Sequence, residues 1–485
     1  MVLGGSSADL RCSFGADGEL EMAREDFEGK NIHIIGMARS GFAAAEVLTD
    51  LGASLTMHDG KQGLDLRPEL NRARELGAKV QVGPTAYEGI EEADIVVISP
   101  GVPDSCPAIV TALTHGIEIM PEIELAYRIC RCPIIAVTGT NGKTTTTALL
   151  GMIIRKSGRG ARIAGNIIAG DIRLPLAQAA FEASPREVIV AEISSFQLER
   201  ITSFRPAVGL LLNINGDHMD RYPDLESYAT AKARMFEFQE AGDYAVLNAE
   251  DPSVMQFARS IKSRALTFNG TSGPGTFAKG SEVWYRDESG ERFVCDTAGM
   301  KLRGRHNLDN VLAAAAAAIV FGIDDQSISE AVLAFDPLEH RMEPVAEING
   351  IEFLNNSMCT NVDASVKSLE AVGRPAILIA GGKDKGSDYG PLGQAFVKYA
   401  KHVVLIGVDA PKIESAALAA GFTALSHANS MESAVQSAWE QAEPGDTIML
   451  SPGCASFDMF NDFEHRGRVF KAAVNALVER LGSKK

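Results

Sequence analysis

The chain has 485 residues, 46% of them hydrophobic, and a formal net charge of -17. That length suggests about three domains at ~150 residues each, with ample apolar content for their cores. The acidic balance argues against nucleic acid or an anionic membrane as the main partner, but not against a phosphorylated ligand held in a local cradle.

Residues 1–29 are polar and lack the basic and apolar regions of a signal peptide. They read as a loose extension, with Met22 an alternative start. Residues 31–35 form a strand, Gly36 a turn, 41–51 a helix, and 53–57 a second strand with Asp59 just past its end. This is a Rossmann-like βαβ opening. The dinucleotide fingerprint is broken, because Ala38 stands where the second glycine belongs. Asp59 reads as a ribose contact or as a turn residue. A strand at 94–98 runs into Ser-Pro-Gly at 99–101, a ligand loop or a turn. Residues 120–125 read as the passage into the next domain.

The most informative stretch is 133–147, P-I-I-A-V-T-G-T-N-G-K-T-T-T-T. A β-branched run is followed by Gly139, Gly142, Lys143, Thr144 and Thr145, then by a helix-like segment at 148–154. Strand, glycine turn and helix make a phosphate cradle: backbone N–H groups approach the anion, the helix N-terminus favours negative charge, and lysine reaches the outer phosphates. A threonine hydroxyl beside it suits a magnesium shell. The loop is shorter than the common G-x-x-x-x-G-K-[ST], which needs glycine at Val137.

Strands at 188–191 and 208–212 end at Glu192 and at the segment 213–220, which carries His218. In a parallel sheet ligands collect beyond the carboxyl ends of strands, and the phosphate loop, Glu192 and His218 share that address. A helix at 225–240 carries Lys232, residues 270–297 read as hairpins or loops, and 304–310 open an alanine-rich helix. The region after 339 repeats strand–helix logic, with strands at 352–354, 376–380, 403–406 and 447–450. The alanine-rich run at 311–320 is too short to span a membrane. Seven scattered cysteines without C-x-x-C spacing fit reduced thiols in a cytoplasm.

The loop T-G-T-N-G-K-T-T resembles the Mur ligase family. So do E-I-S-S-F-Q-L at 192–198, D-H-M-D-R-Y at 217–222, G-R-H-N-L-D-N at 304–310, G-G-K-D-K at 381–385, and the tail 451–467. The closest resemblance is to members that add glutamate to UDP-N-acetylmuramoyl-L-alanine. It implies an α/β protein of three domains after the extension: a Rossmann-like UDP-substrate domain at 30–122, a P-loop-type ATP-binding domain with a mainly parallel sheet at 123–338, and a Rossmann-like amino-acid domain at 339–485. It implies a cytoplasmic monomer that uses ATP and magnesium, without nucleic acid or membrane insertion.

By the same resemblance, ATP meets Gly139, Thr140, Asn141, Gly142, Lys143, Thr144, Thr145, Thr146, Asn307, Asn310, Arg341 and Asn356. Magnesium meets Thr144, Glu192, His218 and Lys232 as a carbamate, and Lys143, Glu192, His218 and Lys232 are the catalytic set. The UDP-substrate falls on Arg39, Ser40, Asp59, Gly60, Gly101, Asn166, Ser194, Ser195 and Gln197. The incoming glutamate falls on Thr360, Lys385, Ser456 and Phe463. The residues alone leave plainer readings open: Glu192 or Asn307 as a cap, His218 as a turn histidine, Lys232 as a solvated helix lysine, Phe463 as core.

One segment departs from the family. Where members read Asp-Ser-Lys-Ala-Thr-Asn, this chain has Asn356-Ser357-Met358-Cys359-Thr360-Asn361. Asparagine still accepts a hydrogen bond but carries no charge, and methionine replaces no cation. Three other readings stay open: a ligase for another amino acid such as L-glutamate, a nicotinamide-dependent oxidoreductase, and a nucleotide-binding regulator.

Overall fold

The first apolar runs build a parallel sheet of five strands. β1 (Asn31–Ile35), β2 (Ser54–Asp59), β3 (Lys79–Val82), β4 (Ile95–Ile98) and β5 (Glu118–Pro121) lie in the order β3-β2-β1-β4-β5, all paired parallel. β4 is buried throughout, as a continuous Ile/Val run demands when both faces are covered. The edge strand β3 is half exposed. The computed structural model describes residues 25–61, 67–170, 172–219, 221–373, 375–383 and 386–482. Most of the expected extension therefore lies outside the described residues. Its last part is not loose: Phe27 is 1% exposed, and the Gly29 N–H donates to Gly52 O at 2.9 Å. One buried ring, worth ~1.5–3 kcal/mol, tethers that turn.

The second sheet has nine strands: β6 (Ile134–Thr138), β7 (Ala161–Gly165), β8 (Val188–Glu192), β9 (Val208–Leu211), β10 (Tyr244–Asn248), β11 (Arg264–Phe268), β12 (Gly275–Lys279), β13 (Glu282–Asp287) and β14 (Gly290–Asp296). The order is β14-β13-β12-β11-β10-β9-β6-β8-β7. It is parallel from β7 to β12 and ends in two antiparallel hairpins. The helix expected over 225–240 is shorter: Leu225–Ala233 is α-helical and Arg234–Phe236 tightens to 3-10. The Phe236 ring fills the space a side chain at Gly209 of β9 would need, and the Arg234 guanidinium donates to the carbonyls of Glu199 and Ile201. Those two anchors fasten the 3-10 turn to β9 and to the segment 199–201.

The third sheet comprises β15 (Glu343–Ile348), β16 (Ile351–Asn355), β17 (Ala376–Gly381), β18 (Ala400–Ile406), β19 (Leu425–His427) and β20 (Thr447–Leu450), in the order β15-β16-β20-β17-β18-β19. Only β15 is antiparallel. Alternate residues of β17 feed two cores: Leu378 and Ala380 pack with Phe396, while Ile377 and Ile379 pack with Phe470, the period-two geometry of a strand buried on both faces.

The chain divides into two units. One holds the first two sheets (Met1–Ile214, Glu226–Ala298, Asn310–Val332), the other the third sheet (Asn215–Leu225, Gly299–Asp309, Leu333–Lys485). Within the first, the helix Glu122–Ile129 follows β5 directly and is bonded into the second sheet's surroundings. The buried Glu122 carboxylate accepts the Ala177 N–H at 2.7 Å. Glu124 accepts the N–H groups of Thr202, Ser203 and Phe204 at 3.0–3.1 Å and the hydroxyls of Thr202 and Ser203. Burial opposes its charge, but the Ser203 hydroxyl and those N–H groups hold its carboxyl below the usual range. Among the described residues no helix is long and apolar enough to cross a membrane.

A buried histidine pair should make the first sheet acid-sensitive. The His58 ring stacks on His33 at 4.9 Å, its Nδ1 2.5 Å from Ala86 O and its Nε2 3.0 Å from His33 Nδ1. Burial pushes His58 down to about 4, against the hydrogen bond to Ala86. The stability contributed by neutral His58 is complete above the unfolded value near 6.5 and is lost as pH falls toward 4. Glu122, raised by burial to about 7, works the other way, since its protonation favours the fold. The clean measurement is therefore a difference. Wild type should be more stable than His58→Gln at pH 7, and urea titrations should show the gap narrowing by about 1–3 kcal/mol by pH 4. A constant gap would refute the assignment.

Candidate functional site

The phosphate loop lies between β6 and the helix Lys143–Lys156. Gly142 is left-handed (φ 84°), and a Cβ there would sit 2.3 Å from Asn310 Oδ1, so the turn takes only glycine. Asn213, just past β9, braces the loop: its Oδ1 accepts the Asn141 N–H at 2.8 Å, its Nδ2 donates to Asn141 O at 3.0 Å, and its O accepts the Thr140 N–H at 2.9 Å. Lys143 Nζ folds back onto Gly139 O and Thr140 O at 2.9 and 2.8 Å. Thr146 Oγ1 donates to Asn310 Oδ1 at 3.2 Å, and Thr145 is buried.

Glu192 ends β8 and is 3% exposed. Thr144 Oγ1 donates to its Oε2 at 2.7 Å, and Asn166 Nδ2 to its Oε1 at 3.1 Å. It does not cap the next segment. Ser194 does that, in a reciprocal capping box with Gln197, with Ser195 buried in the first turn. Lys232 is not solvated: it is 2% exposed, donates to Gly139 O at 2.9 Å, and lies 4.5 Å from the centre of the Tyr228 ring. Two lysines from distant parts of the sequence thus converge on one loop carbonyl.

At the carboxyl end of the first sheet, Asp59 Oδ2 accepts the Met37 N–H at 3.1 Å and Oδ1 the Lys61 N–H at 3.0 Å, so its carboxylate braces the turns after β1 and β2. Ser40 and Gly60 lie on the same rim, after β1 and β2; Gly101 follows β4 with open space at its Cα. Arg39, at the start of the helix Arg39–Asp50, donates to the carbonyls of Gly165, Ile167 and Arg173.

The second unit holds the remaining residues. His218 is left-handed (φ 57°), and its N–H donates to Asp217 Oδ1 at 2.9 Å. Asn307 Nδ2 donates to Arg303 O at 2.7 Å. Arg341 is flanked by two left-handed residues, His340 (φ 64°) and Met342 (φ 49°), a costly arrangement that clusters at functional sites. Asn356 accepts the Met342 N–H at 3.1 Å and donates to Ser368 Oγ at 2.7 Å, so part of its carboxamide is already engaged. Thr360 follows in the same loop, half-buried. Ser456 is 2% exposed, next to Ala455, which pairs with Lys383 as an isolated bridge. Phe463 is half-buried; its ring meets His340 edge-on at 6.3 Å, and its carbonyl accepts Ser357 Oγ at 2.7 Å. Lys385 lies outside the described residues.

Sequence reading assigned no role to three supports: Asn213, Tyr228 and Arg466. The fully buried Arg466 donates to Ser357 Oγ and O and to Cys454 O at 2.8–3.0 Å, and burial lowers it to about 10. Arg466 stands near the start of a helix that also carries Glu464, His465 and Arg468, so nothing local marks it as the buried one.

The donor set fits the groups the family uses. A lysine and a helix N-terminus suit a nucleotide phosphate, and the oxygens of Thr144 and Glu192 suit a hard cation.

Comparison with known proteins agrees. The family described as Mur ligase MurD-like, N-terminal domain, matches residues 30–121. The Mur ligase middle domain matches 137–318, and the Mur ligase glutamate ligase domain 340–454. The UDP-N-acetylmuramoylalanine–D-glutamate ligase of Koribacter versatilis is 40% identical over 457 residues, covering 94% of this chain and 99% of that protein. Its counterpart in Pelotomaculum thermopropionicum is 41% identical over 455 residues, with 93% and 99% covered. Among solved structures, the UDP-N-acetylmuramate-alanine ligase of Thermotoga maritima gives a TM-score of 0.58 at 19% identity, covering 94% of this chain and all of that one. MurF of Acinetobacter baumannii gives 0.60 at 15%, covering 94% and 98%; at such identities the likeness speaks to fold alone. With its phosphate loop, its three sheets and relatives matched over nearly their whole length, the chain belongs to the Mur ligase family.

Proposed function

We propose that this chain joins D-glutamate to UDP-N-acetylmuramoyl-L-alanine at the expense of ATP, as a cytoplasmic monomer in peptidoglycan precursor synthesis. The observation that carries the reading is the buried Glu192 carboxylate, with the Thr144 hydroxyl on one oxygen and the Asn166 amide on the other. That arrangement joins the phosphate loop to a buried carboxylate whose oxygens suit a hard cation. The relatives' names supply the two substrates.

The alanine carboxylate attacks the γ-phosphate in line, giving an acyl phosphate and ADP. The glutamate amine then attacks the acyl carbon, phosphate leaves, and the amine proton is released. Lys143 swings from the loop carbonyls to the outer phosphates and offsets charge there. Asn307, Asn310, Arg341 and Asn356 bind the rest of the nucleotide; Ser40, Asp59, Gly60, Gly101, Ser194, Ser195 and Gln197 bind the UDP-substrate. Thr360, Lys385, Ser456 and Phe463 orient glutamate. Thr144, Glu192, His218 and a carbamylated Lys232 would hold magnesium, which when bound would supply positive charge at the transferring phosphoryl group.

Phosphate release with D-glutamate, L-glutamate, D-aspartate and diaminopimelate tests the reading. D-glutamate should be preferred by about 10²-fold or more, since a site built for a charged group rejects amines that leave it unpaired. A preference for a non-glutamate amine would sink the proposal. Preference for L-glutamate would trace to Asn356 and Met358, the departures from the family pattern.

A further inference from the structure

Arg39 has a position unlike that of a simple ligand side chain. It starts the first helix, directly after the glycine turn that follows β1. Its Nη1 donates to Ile167 O at 3.1 Å and Arg173 O at 3.2 Å, and its Nη2 to Gly165 O at 3.1 Å. Three carbonyls that precede, follow and close one loop therefore point at a single cation. An Arg fork suits this task, because its planar donors diverge at fixed angles.

The loop it gathers contains Asn166. The Asn166 N–H donates to Glu192 O at 2.8 Å, and its side chain donates to Glu192 Oε1. Gly165 is left-handed (φ 95°), and a Cβ there would lie 2.3 Å from Glu192 O, so the loop is pressed against the end of β8. On the far oxygen of Glu192 sits Thr144. Burial lowers the Arg39 pKa, while the carboxylates of Glu122 and Glu192 favour its charge and Arg173 opposes it.

We propose that Arg39 is a positioning residue: by gathering the carbonyls of Gly165, Ile167 and Arg173 it fixes Asn166 against Glu192, and so ties the glycine turn of the first sheet to the carboxylate beside the phosphate loop. A substrate seated on that turn would then be sensed at Glu192 through one loop. The substrate part of this inference rests on the ligase reading above; the positioning part does not.

The test compares Arg39→Gln, Arg39→Lys and Asn166→Ala with the wild-type chain. Hydrogen exchange on the ligand-free proteins reads the positioning directly. In Arg39→Gln the amides of 165–167 should exchange about tenfold faster or more, with those of β6 unchanged; Arg39→Lys should fall between. In turnover, Arg39→Gln should lose about 10- to 100-fold in kcat, with the KM for the UDP-substrate nearly unchanged. The double variant with Asn166→Ala should be no worse than Asn166→Ala alone. Unaltered exchange at 165–167, or a raised KM with kcat intact, would overturn the proposal, the latter making Arg39 a direct ligand. If Arg39→Gln does not fold, equal exchange in wild type and Arg39→Lys would overturn it instead. A wild-type chain inactive on this substrate pair would defeat the ligase reading and leave the exchange result standing.

Discussion

Lys143→Ala should lose ATP turnover by about 10²–10³-fold or more, the scale set by removing one preorganised charge from a transition state, while its thermal midpoint moves by only about 2–4 °C. The side chain is half-buried, and its two hydrogen bonds go to loop carbonyls 3 and 4 residues back. These are local contacts, worth little to the fold and readily exchanged for a phosphate. Phosphate release and circular dichroism on the same preparation check both halves. Normal turnover in a folded variant would remove the phosphate-loop assignment.

Lys232→Ala should be nearly as damaging, by at least ~10²-fold in turnover, and partly rescued by a small added carboxylate. The solvated-lysine reading predicts a nearly silent substitution. The structure makes that reading untenable as a matter of burial: the side chain is 2% exposed, with Nζ on Gly139 O and against the Tyr228 ring. Its reach to the phosphate loop motivates the carbamate proposal. Carbon dioxide adds to a neutral amine with loss of a proton, replacing a cation by two acceptor oxygens, which suits a hard metal better than nitrogen does. Lys232→Met, which keeps the length of the side chain, separates packing from chemistry. Rescue of Lys232→Ala by acetate, with Lys232→Met inactive but folded, supports the carbamate; near-normal turnover in either variant defeats it.

Much of this was legible in the sequence. Strands such as β4, β6 and β17 are continuous Ile/Val/Leu/Ala runs, and a doubly covered parallel sheet writes itself that way. The phosphate loop was legible because glycine, lysine and threonine each meet a separate chemical demand within a few residues. The edge strands were not singled out: β15 reads Glu-Pro-Val-Ala-Glu-Ile, with the proline that edges tolerate, and β19 has only three residues. The burial of Lys232 was also illegible. It depends on Tyr228 and on a loop carbonyl 93 positions away, and no local pattern encodes a partner so distant. Arg39 was read as a substrate contact from the family resemblance alone; the carbonyls it gathers lie 126–134 positions further on.

The matched family regions stop at residue 121 and resume at 137, which invites treating the stretch between as an interchangeable joint. Glu124 says otherwise. Its carboxylate takes five donors from residues 202–204, and Glu122 takes another from Ala177. A chimaera that drew its N-terminal sheet and this helix from one parent and the rest from another would inherit the lock without its keyhole: a buried carboxylate facing donors chosen for a different neighbour. Recombination should therefore carry 122–129 and 202–204 together, whichever parent supplies them.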